Sequence, residues 1–93
     1  MTDYSNIVAA LASQCPSAKV DLAEETLGGD IKGVTVGFDG YIIVAYDCGE
    51  VTTHSENHWL VDLISEDGDV TNFEATSELD AAFKAINLYR AYI

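Results

Sequence analysis

The sequence predicts an α+β fold: an antiparallel β-meander of four to five strands, with an N-terminal and a C-terminal helix packed on it. Three observations predict it. An Asp39-Gly40 pair sits between two β-rich runs, which is the signature of a two-residue hairpin. A segment near each end of the chain repeats apolar residues at helical spacing. Between them, short runs alternate at period two and are separated by polar, glycine-containing turns. Two helices on one face of a twisted sheet would bury a two-layer core. The 93 residues are expected to form a single domain, 1–93, burying about 60–65 % of the unfolded surface.

The first helix follows Thr2 or Asp3, either of which can cap it. Tyr4, Ile7, Val8, Leu11 and Cys15 form its apolar stripe, and Pro16 stops it. Ala18, Val20 and Leu22 alternate with Lys19, Asp21 and Ala23 as a short strand. A loop with Gly28-Gly29 follows. In the hairpin, Phe38 should face Tyr41, Val36 should face Ile43, and Val34 should face Ala45. These six share the core side. Ile42, Val44 and Tyr46 lie on the other side, opposite Gly37, Thr35 and Gly33. A strand apolar on both faces needs cover, from its own chain in the first instance.

After a polar connection, Trp59, Val61 and Leu63 take one face of a strand, and Leu60, Asp62 and Ile64 the other. A turn at 65–69 returns the chain as a strand with Thr71 and Phe73 on one face. Ser77 with Asp80 resembles a capping box. The last helix is expected to bury Leu79, Ala82, Phe83, Ile86, Tyr89 and Ile93, with Lys84 and Arg90 late in it, where cations suit the dipole.

Charge is the strongest functional clue. Sixteen Asp and Glu against four Lys and Arg give a formal net charge of -12. Between positions 62 and 80 lie Asp62, Glu66, Asp67, Asp69, Glu74, Glu78 and Asp80, with no Lys or Arg. Such a field repels nucleic acid and membranes and attracts basic grooves. The four cations are scattered and make no phosphate-binding patch. No basic n-region with a long apolar stretch is present, and the longest apolar run, 41–46, is too short for a bilayer. A cytoplasmic protein with reduced Cys15 and Cys48 is therefore expected.

Other constellations are weaker. His54, Glu56 and His58 would share a face of an extended segment, with Cys48 near in sequence, but they match no zinc signature. Glu66, Asp67 and Asp69 around Gly68 fail the EF-hand spacing, and an acidic turn explains them. No phosphate loop, nucleophile elbow or Cys–His context is present. The expectation is a non-enzyme with no cofactor and no metal.

Carboxylates along a strand face repeat at about 6.6 Å, close to the spacing of phosphates along a nucleic-acid strand. With the Phe38-Asp39-Gly40-Tyr41 hairpin and the acidic run from 62 to 80, the chain resembles small acidic phage proteins that block host defences, anti-CRISPR proteins and other DNA mimics. The resemblance rests on size, charge and layout over the whole chain. It implies an inhibitor, monomeric or homodimeric, that occupies the basic surface of a nucleic-acid-handling defence complex, such as a CRISPR effector, and blocks it sterically and electrostatically. Asp62, Glu66, Asp67, Asp69, Glu74, Glu78 and Asp80 would supply the charge. Tyr46 would supply an aromatic anchor, with Tyr89 and Tyr92 as further candidates. The alternative is a small structural or assembly protein that oligomerises through the apolar hairpin face.

Overall fold

Asp39 (φ 44°) and Gly40 (φ 84°) both adopt positive φ, the requirement of a type I′ turn. That turn sets the register of everything around it. In the computed structural model, which describes residues 4–24, 32–47 and 59–93, the elements in chain order are α1 (Ser5–Gln14), β1 (Lys19–Ala23), β2 (Gly33–Phe38), β3 (Tyr41–Asp47), β4 (Trp59–Ile64), β5 (Val70–Ala75) and α2 (Glu78–Tyr92). The five strands form one antiparallel sheet in the order β1-β2-β3-β4-β5. The fold is α+β, as the patterning predicts.

The hairpin pairs Phe38 with Tyr41, Val36 with Ile43 and Val34 with Ala45. These line the face toward the helices, where they join Trp59, Val61, Leu63 and Ala75 in one core with Tyr4, Ile7, Leu11, Cys15, Ala81, Ala82, Ala85 and Tyr89. Cys15 is a free, buried thiol, and burial pushes its pKa up.

Aromatic contacts fasten the helix layer at both ends. At one end Tyr4 meets Trp59 edge-on at 5.5 Å, and its hydroxyl accepts from the Asp47 amide at 3.1 Å. At the other, Phe38 meets Tyr89 at 5.0 Å and Tyr41 meets Tyr92 at 5.0 Å. The Tyr89 hydroxyl accepts from the Ser17 amide (3.1 Å) and donates to Ser17 Oγ (2.9 Å). The start of each helix therefore lies at the Trp59 end of the sheet and the finish at the Phe38 end, so α1 and α2 run the same way.

Three local expectations change. Tyr4 occupies the N-cap of α1 and makes no side-chain cap bond; Thr2 and Asp3 lie outside the described residues. Ser77 Oγ does accept from the Asp80 amide at 3.1 Å, but Asp80 returns its bond to the Thr76 amide (3.0 Å), one residue before the cap. Asp is a methylene shorter than the usual Glu and closes a different loop. The largest correction concerns α2. Its packed face is Ala81, Ala82, Ala85 and Tyr89, while Leu79 is 81 % exposed, Phe83 65 % and Ile93 58 %. Alanines let the helix axis approach the sheet and α1 closely, which turns the larger side chains outward. Of the expected stripe only Ala82 and Tyr89 are buried, and Ile86 is half-buried against the core.

Candidate acidic interface

The face of the sheet away from the helices carries Lys19, Asp21 and Ala23 from β1, Gly33, Thr35 and Gly37 from β2, Ile42, Val44 and Tyr46 from β3, Leu60, Asp62 and Ile64 from β4, and Val70, Asn72 and Glu74 from β5. Its middle is closed to solvent. Val44 and Tyr46 are buried and pack with Leu60 and Ile64 as a second apolar cluster. The hairpin strand is thus covered within its own chain at these positions, and only Ile42, at the turn end, stays 44 % exposed.

Two residues expected to touch a partner lie in that closed region. Asp62 is wholly buried. The Asn72 amide, directly opposite on β5, donates to its Oδ1, while Oδ2 accepts no hydrogen bond. Desolvation raises the Asp62 pKa, and the Asn72 amide and Tyr46 hydroxyl partly oppose that rise. Tyr46 is 6 % exposed and faces Asp62 diagonally across the β3–β4 ladder. Strand alternation places both correctly on the far face, but neither is a surface contact. Tyr89 is buried in the core as well, and of the aromatic candidates only Tyr92 is exposed.

The remaining acids divide between the two ends of the sheet, about 17 Å apart along β4. Glu74, Glu78 and Asp80 lie at the Trp59 end. Asp80 is committed to structure: Lys84 Nζ donates to Oδ2 at 2.7 Å, and Thr76 adds its amide and hydroxyl. The Lys84 bond and the Thr76 amide lower its pKa. Glu66, Asp67 and Asp69 lie at the opposite end, in the β4–β5 turn, and all are exposed. That turn is tied by Ser65, whose amide donates to the Asp69 carbonyl (2.9 Å), whose carbonyl accepts from Gly68 (2.9 Å), and whose hydroxyl accepts from the Asp69 amide (3.1 Å). Gly68 takes φ 88°.

The β2–β3 turn lies beside it. A Cβ on Gly40 would sit 3.0 Å from Glu66 Oε2, so the two hairpin tips touch. Exposed Asp39, next to Gly40 in that turn, therefore lies at the same end of the sheet as Glu66, Asp67 and Asp69. Sequence reasoning missed Asp39. The signal was present in the meander itself, because alternate turns of an antiparallel meander fall at the same end.

Among the described residues no Lys or Arg forms an ion pair with these four. Lys19 pairs with Asp21 (3.8 Å), Lys32 with Glu24 (3.8 Å) and Lys84 with Asp80, and Arg90 donates to Gln14 Oε1 (3.2 Å). Directly behind the tips, Gly37, Ile42, Ile64 and Val70 form one row across four strands. Ile42 and Val70 are each 44 % exposed, and open space lies above Gly37. The result is a small apolar row with the carboxylates on its tip side and Lys19, paired with Asp21, beyond Gly37 at its β1 end, the layout of an apolar anchor with a polar rim.

Among the described residues no group of three His, Cys, Asp or Glu is arranged to hold a metal ion. His54, Glu56, His58 and Cys48 lie outside the described residues. Among the described residues no helix is long and apolar enough to cross a membrane. The chain matches no protein-family model, no curated protein and no solved structure.

Proposed function

We propose that this protein is an acidic inhibitor of the anti-CRISPR kind, which seats its paired hairpin tips in a basic, nucleic-acid-handling surface of a defence complex. The observation that carries the reading is the convergence of Asp39, Glu66, Asp67 and Asp69, uncompensated by any of the four cations, beside the exposed Ile42 and Val70. Carboxylates on two touching turns present charge where phosphates would otherwise lie, and the field accelerates encounter with Arg and Lys. The apolar row supplies contact that salt does not screen. The mechanism is occupancy, with no turnover.

The test is competition for DNA loading on purified CRISPR effector complexes, comparing wild type with the Asp39→Asn/Glu66→Gln/Asp67→Asn/Asp69→Asn variant. The wild type should block loading at a stoichiometric end point and lose potency as salt rises. Each exposed charge pair contributes about 0.2–1 kcal/mol, so the fourfold variant should weaken binding roughly 4- to 1000-fold while its circular dichroism is unchanged. Equal inhibition by the variant, or inhibition at substoichiometric dose, would reject the reading.

A further inference from the structure

We propose that a second copy of this chain docks antiparallel on α2, through a stripe of exposed Leu79, Phe83 and Ile93 with half-buried Ile86 at its middle. With Arg90 these residues recur at i, i+4, i+7, i+11 and i+14, so they share one side of the helix. Leu79, Phe83 and Ile93 are 81 %, 65 % and 58 % exposed. Three large apolar side chains in line on one helix mark an association surface.

Charge argues for the chain itself as the occupant. α1 contains no charged residue, and α2 carries Glu78 and Asp80 against Lys84 and Arg90. The two helices are together neutral, so the whole net charge of -12 lies outside them. Among the described residues, the two helices are the elements through which two such anions can meet with no net charge of their own in the contact.

The stripe is also self-complementary when reversed. A two-fold axis at Ile86 brings that residue onto its own copy. It sets Leu79 against the second copy's Ile93 and Phe83 beside the aliphatic stem of the second copy's Arg90. The acidic tips lie at the Phe38 end of the sheet, where α2 finishes. Antiparallel docking sends the two tips to opposite ends, separated by roughly the 20 Å length of the helix, well beyond the ~8 Å screening length of physiological salt. Parallel docking would put them side by side. The dimer thus carries one acidic tip at each end, at the same end as the second copy's Glu74 and Glu78, and it stands or falls independently of what those tips bind.

Sedimentation equilibrium between about 2 and 300 µM tests it. A face this small belongs with weak interfaces, so association should be detectable within that range, and it should be tighter in 0.5 M than in 0.05 M NaCl as residual repulsion is screened. Leu79→Gln/Phe83→Gln should weaken association by about tenfold or more with circular dichroism and Tm retained. Ile42→Thr/Val70→Thr, on the far face, should leave it unchanged. For register, Ile86→Cys in a Cys48→Ser background should form a disulfide-linked dimer under mild oxidation, and Leu79→Cys should not. A monomer throughout the range overturns the proposal, as does a dimer indifferent to Leu79→Gln/Phe83→Gln, a dimer lost in the far-face variant, or Leu79→Cys cross-linking as fast as Ile86→Cys.

Discussion

Replacing Asp62 by Asn should stabilise the protein at neutral pH. Asp62 is fully buried, and Oδ2 receives no hydrogen bond. An unsatisfied buried acceptor costs about 1–3 kcal/mol, and a buried charge without a counter-ion adds to that. Although the support that the Tyr46 hydroxyl gives the carboxylate is weakened, Asn keeps the shape and keeps Oδ1 for the Asn72 amide. Its own desolvation offsets part of the gain, which leaves about 1–2 kcal/mol at pH 7. For a domain this size that corresponds to a Tm rise of about 4–16 °C.

The pH dependence makes the prediction specific. Burial raises the native pKa of Asp62 above 3.8, so the folded state holds its proton more tightly than the unfolded state. Wild-type stability therefore falls as pH rises from 3.8 to the raised native value, and above that value the penalty is complete. The Asn variant has no such penalty. Its advantage should be full at pH 7 and shrink toward zero near pH 4. Urea unfolding followed by circular dichroism at micromolar protein measures both, and subtracting wild type from variant at each pH cancels the other acids. A variant less stable at pH 7 by more than 1 kcal/mol, or an advantage equal at both pH values, would refute the account of an uncompensated buried carboxylate.

Four further outcomes follow from single contacts. Tyr89→Phe removes both hydrogen bonds to Ser17 and should cost about 1–2 kcal/mol, read by the same urea titration. Gly40→Ala places a Cβ at φ 84° and 3.0 Å from Glu66 Oε2; it should destabilise by about 1 kcal/mol, and a Tm that does not fall would show that the turn relaxes. Ser77→Ala removes the α2 cap and should cost about 1 kcal/mol, visible as fraying of the first turn in amide exchange. Asp80 titrates oppositely to Asp62. Lys84 and Thr76 lower its pKa, so its support is present above 3.8 and is lost as pH falls through the lower native value; in Asp80→Asn that acid-side loss should disappear from the pH–stability curve.

The sheet was legible because its rules are local. Period two assigns each side chain to a face, and Asp39-Gly40 permits one turn geometry, so the pairing of Val34 with Ala45 and of Phe38 with Tyr41 follows without tertiary information. What lies above a face is a tertiary fact. Alternation assigned Asp62 and Tyr46 to the far face, but no local rule distinguishes a covered strand centre from an open one. On α2 the error came from weighting apolar residues by size. A helix seated close to a sheet is held through its smallest side chains, and Ala81, Ala82 and Ala85 take the contact that Leu79 and Phe83 were expected to make.

The acids show why position in the chain is a poor guide to position on the surface. Seven carboxylates without an intervening cation looked like one continuous display. Folding buries Asp62, sends Glu74, Glu78 and Asp80 to one end, and leaves Glu66, Asp67 and Asp69 at the other. The replacement comes from Asp39, brought alongside by an even number of strand reversals. The same folding gathers all the net charge outside the helices. The acidic hairpin tips and the exposed stripe on α2 occupy separate surfaces, so the two proposals are separable: tip variants test the inhibitor reading and stripe variants test self-association, and neither set should move the other readout.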